Sequence, residues 1–128
     1  MSQTYHKTFT GMLVAKDGIR RHFINGAYGR EGDLPSVEHP DGSQMWYVEN
    51  PKRGGFGQPN ALPHRVGGPA VIKPNGYAVY YRMGKLHRED GPAVTLADGT
   101  RKWFENDKGL RVERGRPHKN PGPLVAGR

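Results

Sequence analysis

The stretch Leu86-His87-Arg88-Glu89-Asp90-Gly91-Pro92-Ala93-Val94-Thr95-Leu96-Ala97-Asp98-Gly99-Thr100-Arg101-Lys102-Trp103-Phe104 decides the fold. It contains a short run opened by proline, an Asp-Gly pair and a return run that ends in two aromatics. Proline starts a strand without needing a ladder N–H, and β-branched and aromatic residues suit the pleated surface. Asp-Gly favours a tight type I′ turn, whose two central residues need positive φ. The stretch therefore reads as strand, turn, strand.

The same pattern recurs upstream. His64-Arg65, Gly68-Pro69-Ala70-Val71, Asn75-Gly76 and Tyr80-Tyr81 repeat it, and Arg30, Gly32, Pro35, Val37, Asp41-Gly42 and Trp46-Tyr47 repeat it again. A half-matched copy, Leu13 to Gly26, carries Asp17-Gly18 and His22-Phe23, and an eroded copy closes the pattern at Leu110 to Gly115. The four turn glycines, Gly18, Gly42, Gly76 and Gly99, lie 24, 34 and 23 residues apart. An insertion, Pro51 to Ala61, accounts for the long interval and is expected to project as an exposed loop. A fixed period in the low twenties marks a repeat array in which each unit buries its face on its neighbours.

These readings predict an all-β fold, an antiparallel β-hairpin repeat array running as a meander. Its sheet would be elongated and twisted, or curled into a partly open barrel. No window shows a 3.6-residue apolar period, so no long helix is expected. Alternation along a strand would set Trp46, Tyr80 and Trp103 in one column and Tyr47, Tyr81 and Phe104 in another, on opposite faces. A thin sheet cannot bury both, which leaves one column exposed or covered by another subunit. The domain is expected over residues 1–113, with the inserted loop at 51–61. Residues 114–128, with three prolines and little apolar content, are expected to form a flexible basic tail.

Met83-Gly84-Lys85-Leu86-His87-Arg88-Glu89-Asp90-Gly91-Pro92-Ala93 and Asp98-Gly99-Thr100-Arg101-Lys102-Trp103-Phe104 resemble a repeat of small phage and bacterial proteins, similar to a divergent MORN repeat. The resemblance spans most of residues 12 to 115. It implies a hairpin array with an interaction role, occurrence in phage genomes and no catalytic residues to carry over. The His-Arg and Gly-Pro-Ala elements depart from the usual MORN pattern.

Composition limits the function. The 128 residues are 34% hydrophobic with mean hydropathy -0.84, so a thick core is not expected. Twenty Lys and Arg against twelve Asp and Glu give a net charge of +8, which favours an acidic partner. There is no cysteine, which fits a reducing cytoplasm; the resemblance implies that of an infected bacterial cell. No apolar run approaches a membrane span and no signal-peptide pattern is read. The serines, Ser2, Ser36 and Ser43, sit in no nucleophile elbow, and the turn carboxylates form no acid/base pair, so an enzyme is not expected. His64 and His87 occupy equivalent repeat positions, so their spacing comes from the repeat and not from metal geometry. They are expected to hydrogen-bond across the inter-repeat turn, with no metal and no cofactor.

The binding residues follow from charge and stacking. Pro51-Lys52-Arg53-Gly54-Gly55-Phe56-Gly57 reads like an RGG-type patch, with Arg53 for phosphate and Phe56 for stacking. Arg30, Arg65, Arg88 and Arg111 recur at or near one repeat position and would form a row along the array edge. Arg101 and Lys102 flank the aromatics, with Tyr81 and Phe104 available to stack. The leading expectation is a phage-encoded protein that contacts nucleic acid through its phosphate backbone, without a small-molecule substrate. The alternative is a protein-binding inhibitor of a host enzyme or antiviral defence complex. Under a purely structural reading, the arginines stack on the aromatic column or pair with Glu31 and Glu89. Self-association through sheet edges or an exposed aromatic face is also open.

Overall fold

The computed structural model of the chain describes residues 9–52 and 60–115. Its strands are β1 (Gly11–Val14), β2 (Arg20–Ile24), β3 (Ala27–Tyr28), β4 (Val37–Glu38), β5 (Gln44–Met45), β6 (Tyr47–Glu49) and β7 (Ala61–Pro63). They continue as β8 (Val71–Ile72), β9 (Ala78–Val79), β10 (Tyr81–Arg82), β11 (Lys85–Leu86), β12 (Val94–Thr95), β13 (Arg101–Glu105) and β14 (Lys108–Glu113). No helix occurs among the described residues, so none there is long and apolar enough to cross a membrane. Every pairing is antiparallel, and the fold is the all-β meander expected from the repeat.

Two rows of hairpins alternate along the chain. The main sheet runs β1-β2-β4-β5-β8-β9-β12-β13-β14, with β3 beside β2, and it ends on β1 and β14 without closing. The second row consists of β2/β3, β6/β7, β10/β11 and the turn-proximal half of β13/β14, where Phe104 pairs with Gly109 and Glu105 with Lys108. Each return strand therefore serves both rows. It pairs with the next unit's Pro-led strand, crosses at the first aromatic of its doublet, and then pairs with its own second hairpin.

That crossing explains the Pro-Ala element. The amides of Trp46 and Tyr80 donate to Ala70 and Ala93 carbonyls at 2.8 and 2.7 Å, and His22 does the same to Ser36. Ala70 and Ala93 are 0% exposed, so each lies where a longer side chain has no room. The core follows one cross-strand row. Val37, Val79 and Val94 are buried, with Met45 and Val71 between them. Toward both edges the row changes character, to Arg21 next to Leu13 and to Lys102 next to Val112.

The four main-sheet loops, Asp17-Gly18, Asp41-Gly42, Asn75-Gly76 and Asp98-Gly99, are not type I′ turns, which corrects the sequence expectation. Gly18, Gly42, Gly76 and Gly99 have φ of 81, 97, 97 and 90°, but positive φ does not extend to the Asp or Asn before them. Gly42 N–H donates to His39 C=O at 3.0 Å and His39 N–H to Ser43 C=O at 2.9 Å, and the other three loops repeat this. These are three-residue loops, a type I turn followed by a left-handed glycine. The Asx side chain closes each one. Asp17, Asp41, Asn75 and Asp98 accept the amide two residues on at 2.8 to 3.0 Å.

The two-residue turns lie in the second row, at Asn25-Gly26, Met83-Gly84 and Asn106-Asp107. Both members of each pair have positive φ, the type I′ pattern. The insertion sits at this same position in the second unit. Residues 50–60 join the paired residues Glu49 and Ala61, where Asn25 and Gly26 alone join Ile24 and Ala27. Its base is tied. Asn50, buried, donates its amide to Asn60 C=O at 2.9 Å and accepts Lys52 N–H on its side chain. Ala61, expected in the loop, belongs to β7. The expected basic tail falls outside the described residues from 116 onward. Gly115, still described, packs on the Asp98-Gly99 loop and donates to Thr100 Oγ1 at 3.0 Å.

Candidate functional site

The arginine row is built into the fold. Arg65 lies 3.8 Å over the Trp46 ring and Arg88 4.0 Å over Tyr80, while Arg111 lies 4.4 Å over Trp103. Arg30, Arg65 and Arg88 each donate Nη1–H to the carbonyl of the next proline, Pro35, Pro69 and Pro92, at 3.1 to 3.3 Å. The glycine before that proline lies against the guanidinium. A Cβ on Gly68 or Gly91 would come within 2.8 or 2.7 Å of the arginine head group. Arginine, aromatic and Gly-Pro thus form one stacked unit, and lysine has neither the fork nor the plane to replace the arginine.

Carboxylates complete the arrangement. Asp33 holds Arg65 through two hydrogen bonds, to Nε at 3.0 Å and Nη2 at 2.9 Å, and this pairing keeps its carboxyl below the ordinary value. Asp90 accepts from Arg88 Nε at 3.2 Å. The partners are thus Asp33 and Asp90 in place of the expected Glu31 and Glu89. In the first unit His22 replaces the first aromatic and Leu34 precedes the proline. There Glu38 takes over, 3.0 Å from His22 Nε2 and 3.4 Å from Arg30, and its carboxyl is lowered by the His22 hydrogen bond first.

The histidines join consecutive units. His64 Nδ1 accepts Met83 N–H at 3.0 Å and His87 Nδ1 accepts Asn106 N–H at 3.1 Å. Each therefore caps the type I′ turn of the next second-row hairpin, as expected for structural histidines. Thr10 Oγ1 does the same for Asn25. Gly84 and Asp107 amides also donate to Pro63 and Leu86 carbonyls of the preceding unit, both at 2.8 Å.

The other expected binding residues are placed as follows. Tyr81 and Phe104 are half-buried and pack against the Val79, Ala93 and Val94 cluster. Burial raises the Tyr81 hydroxyl pKa, and Tyr47, in ring contact with Tyr28 at 5.7 Å, behaves likewise. One aromatic column is thus capped by arginine and the other packed inward, where an exposed or intersubunit column was expected. Arg101 is exposed and paired with Glu113, and Lys102 is half-buried at the end of the valine row. Arg53 and Phe56 lie outside the described residues, so the RGG-type patch is not placed. No group of three His, Asp or Glu able to hold a metal occurs among the described residues.

The charge is unevenly distributed. Lys7, Arg53, Arg116, Lys119 and Arg128 are outside the described residues, whereas all 12 carboxylates are within them. The array itself therefore carries an excess of only three positive charges, and its arginine row is paired.

Two grooves remain between the Arg-to-Pro loops, one at each complete junction. The first, about 410 Å³, runs between the Arg30–Leu34 loop and Val66, over Trp46 and His64. The second, about 300 Å³, runs between Arg65–Gly67 and Arg88–Asp90, over Tyr80 and His87. Its lining includes Arg82, which sequence reasoning did not select, and Glu89, which it selected only as an ion-pair partner for the repeat arginines. Their signal was weak: Arg82 only follows the aromatic doublet, and Glu89 reads as a loop residue. Compared with known proteins, the chain matches no family model, no curated protein and no solved structure.

Proposed function

We propose that this chain is a non-catalytic binding protein whose inter-repeat grooves dock on a protein partner carrying acidic groups. One observation carries the reading. The repeat-phased arginines, which a phosphate backbone would need free, are stacked on aromatics, bonded to proline carbonyls and paired with carboxylates. What the grooves still offer is a short polar lining beside aromatic walls, a surface that suits side chains of a protein more than a continuous polyanion. A phage setting, membership of a MORN-like repeat family and inhibition of a host enzyme or defence complex rest on the sequence resemblance.

Nucleic acid remains the second reading, favoured by a specific feature. The five cations outside the described residues have no carboxylate among their segments, and Arg53 and Phe56 belong to the RGG-type stretch. Backbone contact would then come from these segments and not from the arginine row.

Capture from a host lysate, with and without nuclease, together with a labelled random oligonucleotide, separates the two. The protein reading expects a retained polypeptide that survives nuclease, and no oligonucleotide bound at micromolar protein in about 0.15 M salt. Oligonucleotide retention whose affinity falls with a log–log salt slope of roughly −3 to −5 would overturn it in favour of phosphate contacts.

A further inference from the structure

The groove at the Tyr80–Asp90 junction holds a buried donor that the fold does not use. The His87 side chain is 4% exposed, and its Nε2 has no hydrogen-bond partner among the described residues. Because Nδ1 accepts the Asn106 amide, the neutral ring carries its proton on Nε2. A buried N–H without an acceptor bears its desolvation cost uncompensated and calls for an explanation. A Glu89 carboxylate oxygen lies 3.6 Å away, beyond hydrogen-bond reach, on a side chain that is 71% exposed. The same oxygen lies 3.8 Å from Arg82 Nη2, so a carboxylate already hovers between two donors without fully engaging either.

The neighbouring groove provides the contrast. There Asp33 is clamped on Arg65 by two hydrogen bonds and His64 is only half-buried. Its carboxylate is fixed on the arginine, whereas Glu89 is held loosely by a histidine and an arginine whose own head group is mostly exposed.

We propose that the groove around His87 binds a carboxylate presented by an acidic peptide segment of the partner. His87 Nε2–H and the Arg82 guanidinium are its donors, Tyr80 supplies the wall, and Glu89 fills the position until that carboxylate displaces it. This rests on the protein-partner reading above and names the chemistry recognised. Glu89 gives up one long, exposed ion pair with Arg82 and a 3.6 Å approach to the neutral His87 ring, so an incoming carboxylate able to reach within 3 Å displaces it readily.

The test uses the full-length chain labelled with ¹⁵N, following the His87 ring resonances in about 0.15 M salt at constant pH. The probes are capped hexaglutamate, capped hexaglutamine and inorganic phosphate, each added separately. The expected result is a saturable His87 shift with hexaglutamate only. Glu89→Gln, which removes the internal competitor at an exposed site, tightens binding by about two- to five-fold, and Arg82→Gln weakens it by a similar factor. No His87 shift in either the parent chain or E89Q overturns the proposal, as does a shift indifferent to both variants. A larger response to phosphate than to hexaglutamate overturns the assignment of carboxylate. Failure of the protein-partner reading appears instead in the oligonucleotide assay, which does not involve His87.

Discussion

The two rows of turns use similar residues to opposite ends. Main-sheet loops such as Asp41-Gly42 and Asn75-Gly76 are closed from within, by the Asx side chain and by hydrogen bonds inside the same loop. Second-row turns such as Met83-Gly84 and Asn106-Asp107 are closed from outside, by a histidine and a carbonyl of the preceding unit. The first row forms each hairpin, and the second row joins each hairpin to the one before it. A repeat protein needs both, because an isolated hairpin is marginal and stability comes from the interfaces between units.

Substitution of the turn glycines is the strongest way to break this comparison. Gly84 and Gly76 both have positive φ, 83° and 97°, so valine is strained at either. At Gly84 a Cβ would also meet Leu62 of the preceding unit at 3.0 Å, whereas at Gly76 nothing among the described residues lies within 4 Å. Gly84→Val should cost about 3–4 kcal/mol and Gly76→Val about 1–3 kcal/mol, read from denaturant midpoints. Equal losses would mean that docking on the neighbour adds nothing to the second row.

Removing a loop-closing side chain should matter less. Asn75→Ala deletes the acceptor for Tyr77 N–H at an exposed loop and is expected to cost about 0.5–1.5 kcal/mol. Asn75→Asp keeps the acceptor, as the three aspartate loops do, and should be close to neutral. A neutral Asn75→Ala would show that the glycine alone sets the loop.

Acid should separate the two rows. Burial, then the nearby Arg82 charge, lowers the His64 pKa below its ordinary value of 6.5. The unfolded chain therefore binds the proton first, so the stabilisation is complete above pH 6.5 and declines as pH falls toward the folded-state value. Protonated Nδ1 also ceases to accept Met83 N–H. Asp41 is lowered below 3.8, by the Ser43 backbone hydrogen bond first, so its contribution holds above 3.8 and is lost only as pH falls further through the folded value. Amide-exchange protection corrected for intrinsic rates should drop at Met83 between pH 7 and 5 while Ser43 holds. A parallel loss at both sites would place the two rows in one cooperative unit.

Much of the candidate site was legible, though its roles were not. The recurrence of Arg65 and Arg88 ahead of Gly-Pro-Ala marked a row, and the sequence equally allowed that row to stack or to bind. Residue types alone cannot tell a guanidinium over a ring from one over a phosphate, since both use the same plane and donors. Asn25-Gly26 was also open to view, two residues past the aromatic of its unit, and with Met83-Gly84 and Asn106-Asp107 it marks the second row. Arg82 and Glu89 carried no such mark, because their meaning depends on a buried histidine nitrogen that only packing reveals.

The sequence alone determined an antiparallel hairpin array, its units, its insertion and its worn ends. These follow from local chemistry: glycines that tolerate positive φ, prolines that open strands and aromatics at a fixed distance from each turn. The tertiary structure decided which loops take which turn type, that arginines cap the aromatics, and which amide of the next unit His64 and His87 each accept. Those outcomes depend on loop length between paired residues and on contacts about twenty positions apart, where cross-unit hydrogen bonding and burial, not local preference, select the geometry.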